Sequence, residues 1–125
     1  MTASENTLAS GKFFRFWSAA NEPRAVVLIS HGLGEHSGRY EHVAAALTAD
    51  NLHVYALDHI GHGKSPGKPA YIDRFSDLTS GVSELRDHIR RHPAGLPVIL
   101  IGHSVGGLIA IRLALGAHAD YAGLI

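Results

Sequence analysis

Gly102-His103-Ser104-Val105-Gly106 has the pattern Gly-x-Ser-x-Gly. A short apolar run, Pro97–Ile101, precedes it, and the apolar stretch Ser104–Leu115 follows it. Strand, sharp turn and helix form the setting in which such a serine becomes a nucleophile. The turn lifts the hydroxyl above the end of the sheet. Side chains two residues to either side would collide there, which explains Gly102 and Gly106, and Gly107 would let the helix lie close to the strand. A helix starting at the serine points its unpaired N–H groups and positive end at developing negative charge. A serine hydroxyl still needs a base and a second oxyanion donor. His31-Gly32-Leu33-Gly34, just after the run Ala25–Ser30, offers such a donor in the backbone N–H of Leu33.

Three other patterns fail. Gly61–Ser65 ends like a phosphate-binding loop, but Asp58 stands where that loop needs its first glycine. Pro66, Gly67 and Pro69 also block a helix after Lys64-Ser65. Gly32, Gly34 and Gly38 approach a dinucleotide fingerprint with Asp58 as the acid, but the last spacing is one residue too long. His59-x-x-His62 and His88-x-x-x-His92 are spaced like metal ligands, yet no third ligand is indicated. They read as solvated loop and helix-surface histidines, so no metal and no cofactor are expected.

The remaining residues must build the scaffold. Lys12–Ser18, Ala25–Ser30, His53–Leu57 and Pro97–Ile101 read as strands, and Tyr121–Ile125 as the beginning of another. Arg39–Asp50 reads as a helix with Ser37 as its cap. Asp73–Arg91 reads as a helix capped by Asp73, buried through Phe75, Leu78, Val82, Leu85 and Ile89, and ended by Pro93. Ser104–Leu115 is apolar nearly all round and should sit inside a larger body. Strands alternating with helices imply an α/β fold, a three-layer α/β/α sandwich around a mainly parallel sheet. Residues 1–10 are polar and expected to be flexible; residues 11–125 form part of one domain. Pro97–Ile101 would become a sticky edge if nothing paired beside it.

Composition narrows the function. The 125 residues carry 11 basic and 11 acidic side chains and no cysteine. That balance gives no electrostatic case for nucleic acid, and disulfides and thiolate chemistry are excluded. Apolar runs of about five residues fall short of the ~20 a transmembrane segment needs. No secretory signal is visible, so a cytoplasmic location is expected.

HGLGEHSGRY (His31–Tyr40), LDHIGHGKSPG (Leu57–Gly67) and GLPVILIGHSVGGLIA (Gly95–Ala110) together resemble the monoacylglycerol lipase and lysophospholipase group of α/β-hydrolases, often placed with the serine aminopeptidase S33-like hydrolases. The resemblance runs from about Lys12 to the last residue. It implies Ser104 as nucleophile and the Leu33 and Val105 N–H groups as oxyanion hole. It also implies that His31, Gly32, Glu35, Arg39 and His103 shape and brace the site. Asp58, His59, Gly61, His62 and Gly63 would be a structural loop. Val105 stands where eukaryotic relatives usually have Met, a minor change because only its N–H is used. In the group, a lid follows the sixth strand and the triad Asp and His come later still. By this reading the chain is the N-terminal part of the fold, cut at the start of strand 6. It would lack the triad Asp and His and be nearly inactive alone.

The expected function is therefore hydrolysis of small lipid esters. Two alternatives stay open: a non-catalytic fragment that binds or aggregates through its open sheet edge, or another acyl-transfer enzyme of the fold, such as a peptidase or thioesterase. No internal substitute for the triad is expected. His118 and Asp120 lie past a helix that carries the chain about 18 Å from the serine, and nothing in the sequence orients His31, His36 or His103 as a base. Oligomeric state is left open.

Overall fold

The computed structural model describes residues 3–91 and 95–125. His92 and Pro93, invoked above as a ligand spacing and a helix stop, lie outside them.

Among the described residues six strands form one sheet: β1 (Ser4–Thr7), β2 (Phe13–Trp17), β3 (Ala25–Ser30), β4 (Leu52–Leu57), β5 (Val98–Gly102) and β6 (Gly123–Leu124). Their order is β1-β2-β4-β3-β5-β6. The pairs β3–β4, β3–β5 and β5–β6 are parallel, while β1–β2 and β2–β4 are antiparallel. Helix α1 (Glu41–Ala49) joins β3 to β4, α2 (Phe75–Arg90) joins β4 to β5, and α3 (Val105–Gly116) joins β5 to β6.

Every residue of β3 is buried, as an unbroken apolar run in a central parallel strand should be. Its side chains alternate between two cores. Ala25, Val27 and Ile29 pack with Trp17, Val54 and Ala44 on the α1 side. Val26 and Leu28 pack with Leu85, Leu100, Ile109 and Leu113 on the side of α2 and α3. The expected three layers are present, and the chain after β3 turns to one face while the chain after β5 turns to the other.

Several local expectations change. Ser4–Thr7, expected to be flexible, is a strand. All four of its residues are exposed, so no apolar alternation betrayed it; backbone pairing to β2 holds it, and Leu8 is buried behind it. Ser37 does not cap α1. It is buried, its N–H donates to Asp58 Oδ1 (2.6 Å), and its hydroxyl accepts from Arg15 (2.6 Å). A short 3-10 turn, Ser37–Tyr40, precedes the helix instead. Helix α2 begins at Phe75, with the Arg74 N–H held by the Asp77 carboxylate (3.2 Å), so Asp73 is not its cap. Phe75 itself is exposed. Strand β6 covers β5, so β5 is not an edge. Helix α3 is buried only along Gly106, Ile109, Ala110 and Leu113; Leu108, Ile111 and Leu115 face outward.

Candidate active site

Strands β3 and β5 lie side by side, and their carboxyl ends are where the chain diverges to opposite faces of the sheet. Open α/β sheets leave a crevice at such a point. The chain leaving β5 bends sharply. Ser104 has φ 59° and ψ −122°, a conformation that a non-glycine residue adopts only when its surroundings enforce it. The His103 N–H donates to Ser30 O (3.1 Å), and the Gly106 and Gly107 N–H groups close the turn on His103 O (2.9 Å) and Ser104 O (2.8 Å). Ser104 is exposed at the head of α3.

Glycines make the bend possible. A Cβ on Gly106 would overlap the Ser30 carbonyl oxygen, and one on Gly102 would lie 2.5 Å from Gly106 O. Gly107 does not bring helix and strand together, because a Cβ there would meet Gly102 O at an ordinary 3.6 Å.

The loop after β3 abuts this bend. A Cβ on Gly32 would lie 3.1 Å from His103 O and 3.2 Å from His103 Nδ1. Most polar groups of the loop are claimed. The Gly32 N–H donates to Glu35 Oε1 (2.7 Å). Gly32 O accepts from the Glu35 N–H (3.2 Å) and from His31 Nδ1 (2.7 Å). The Gly34 N–H donates to His62 Nε2 (2.9 Å). Of the four amides from Gly32 to Glu35, Leu33 alone finds no acceptor among the described residues. The Val105 N–H at the start of α3 finds none either. The fold thus leaves free both of the amides expected as oxyanion donors.

Glu35 ties loop and bend together. Its Oε1 also accepts from Tyr40 Oη (2.8 Å) and lies 3.2 Å from His103 Nδ1, while Arg39 reaches Oε2 at 3.7 Å. Burial pushes this carboxyl up, but the donors from Gly32, Tyr40 and His103 outweigh it and hold it at about 2. Tyr40 is the partner the sequence did not announce. Its hydroxyl is pushed up to about 12 by burial and by the Glu35 carboxylate.

The histidines of the Asp58–Gly63 loop are not solvated. His31, His59 and His62 are all buried, with ring centroids of His31 4.1 Å from His59 and 5.2 Å from His62. His31 Nε2 accepts the His59 N–H (3.0 Å), and His59 Nε2 donates to His31 O (2.9 Å). Burial holds the His59 imidazole down to about 3 and lowers His31 too. Asp58 spends its carboxylate on the Ser37 and Lys64 N–H groups (2.6 and 2.8 Å), organising the loop rather than meeting Ser104. His88 is not a surface histidine either; its ring packs 5.0 Å from Phe14. Among the described residues, no group of three or more potential metal ligands converges.

None of the described residues hydrogen-bonds the Ser104 hydroxyl. His103, the neighbour in sequence, turns to Glu35. Asp120 sits at the far end of α3, paired with Arg90 (2.7 Å). A cavity of about 330 Å³ opens between β1, β2 and the Ser37–Tyr40 turn, lined by Glu5, Arg15, Trp17, His36 and Glu41, and Ser104 has no part in it.

Comparison with known proteins shows the family and the fold. The family model described as serine aminopeptidase, S33 matches residues 21–125. Human monoglyceride lipase is 42% identical over 113 residues, covering 90% of this chain and 37% of the lipase. Monoacylglycerol lipase of Mycolicibacterium smegmatis is 40% identical over 113 residues, covering 87% of this chain and 39% of its own. A thermostable carboxyl esterase from Bacillus coagulans superposes with a TM-score of 0.83 at 27% identity, over 98% of this chain and 42% of the esterase. The chain therefore spans under two fifths of the length of these two lipases.

Proposed function

Because this chain belongs to the serine aminopeptidase S33 family of α/β-hydrolases, we propose that it carries the nucleophile and oxyanion hole of a carboxylic ester hydrolase acting on small lipid esters such as monoacylglycerols. The observation that carries the reading is an exposed Ser104 on a strained bend, beside two backbone N–H groups that find no acceptor among the described residues. The substrate class rests on the lipases named above.

The Ser104 oxygen attacks the ester carbonyl carbon, and the carbonyl electrons move onto oxygen. The Leu33 and Val105 N–H groups donate to that oxyanion, a role worth roughly a hundred- to thousandfold per donor. Collapse expels the alcohol, and water then releases the acid. The Ser104 proton needs an acceptor. Both ring nitrogens of His31 are engaged, and His103 faces Glu35. On this reading neither of them serves as the base for Ser104. Lacking one, this chain alone would hydrolyse esters about a hundred- to ten-thousandfold more slowly than a complete enzyme.

An alkyl fluorophosphonate with intact-mass readout tests this. Slow stoichiometric labelling of Ser104, abolished in Ser104→Ala, is expected. Absence of any adduct after prolonged exposure would remove the nucleophile assignment. Labelling as fast as that of a complete serine hydrolase would show that a base is present.

A further inference from the structure

We propose that His62 is a positioning residue for the oxyanion loop, holding the Gly34 N–H so that Leu33 presents its own N–H to the site. The inference rests on the reading of Leu33 as an oxyanion donor. Leu33 has an exposed side chain (59%), so packing does not fix it. Its restraint must come from the peptides on either side. His31 Nδ1 holds the preceding carbonyl, Gly32 O, at 2.7 Å. His62 Nε2 holds the following amide, Gly34 N–H, at 2.9 Å.

The ring of His62 can do this in one tautomer only. Its Nδ1–H donates to Ile60 O (3.0 Å), which leaves Nε2 as a bare acceptor facing Gly34. The residue is 5% exposed, its ring tilted against that of His31 (5.2 Å between centroids) and edge-on to that of His59 (6.3 Å). Gly34 has φ 77°, and a Cβ there would meet nothing within 4 Å. The bond to His62, not crowding, therefore defines this corner. The His59-x-x-His62 spacing that resembles a metal motif then acts as a brace: the backbone of His59 anchors His31, and the ring of His62 anchors Gly34.

Nitrogen-15 NMR on the whole chain tests this without requiring turnover. The expected signature is scalar coupling between the Gly34 amide nitrogen and His62 Nε2, with the proton on Nδ1. In His62→Leu, Gly34 amide exchange should rise at least about tenfold while Leu28 in β3 stays protected, and Ser104 labelling by the fluorophosphonate should slow by about tenfold. His62→Gln, whose side-chain carbonyl can reach the same amide, should restore both. Missing coupling, unchanged Gly34 exchange in His62→Leu, or undiminished labelling despite a loosened Gly34 would each overturn the proposal. If His62→Leu loses protection throughout, the wild-type coupling and the Gln variant decide. Failure of wild-type Ser104 to label would instead overturn the nucleophile reading, while coupling and exchange still report on His62.

Discussion

Residue by residue, the site is assembled from groups that must keep one protonation state. His59 in an open chain takes a proton near 6.5; buried here, it takes one near 3. Between those values the unfolded chain binds more protons than the folded one. Stability is therefore expected to fall as pH drops from 6.5 toward 3, and His31 adds in the same direction. Urea midpoints measured across that window should decline, and the decline should be shallower in His59→Asn. Glu35 opens a second window. Its carboxyl ionises near 2 in the fold against an ordinary 4.5, so its contribution is complete above 4.5 and lost as pH falls toward 2. Glu35→Gln should flatten the lower part of the profile. It should also slow Ser104 labelling, because the Gly32 N–H that anchors the loop after β3 then meets a weaker, uncharged acceptor.

Among the elements, the decisive contact is the backbone of α3 against the end of β3. Gly106→Ala drives a methyl group into Ser30 O, which neither element can move without breaking sheet pairing. A loss of about 2 kcal/mol or more is expected in chemical denaturation, with the bend displaced and Ser104 labelling lost. Helix α2 supplies a different test. Leu85 is fully buried between helix and sheet, so Leu85→Ala should cost about 2–5 kcal/mol. Leu115 on α3 is 77% exposed, so Leu115→Ala should stay within about 0.5 kcal/mol of wild type. Equal effects at the two positions would contradict the placement of these helices.

Across the molecule as a whole, Leu108, Ile111 and Leu115 on α3 and Leu124 and Ile125 at the edge strand β6 expose apolar surface. Among the described residues nothing covers it, and β6 pairs on one side only. Surface of this kind drives association. The isolated chain is expected to self-associate with rising concentration in sedimentation velocity. Leu108→Lys together with Leu115→Lys should shift it toward monomer without altering Ser104 labelling, since neither side chain belongs to the loop after β3 or to the bend. A monomer at every concentration would show that this face is inert. No described helix is long and apolar enough to cross a membrane.

Elements whose signals are local were legible before any fold was known. Ala25–Ser30 is an unbroken apolar run and formed β3 with those limits. Gly102 and Gly106 flank Ser104 at the spacing that a strained bend demands, and the bend is there. Whatever depends on partners far along the chain had to wait for the chain to close on itself. Polar Ser4–Thr7 became a strand because β2 offered a free edge. Ser37 became a buried link between Arg15 and Asp58 rather than a helix cap. His59 and His62 exchanged water for the backbone of the loop after β3. Spacing records which residues can share a face. Which nitrogen loses its water, and which amide is left without an acceptor, is settled when distant segments meet.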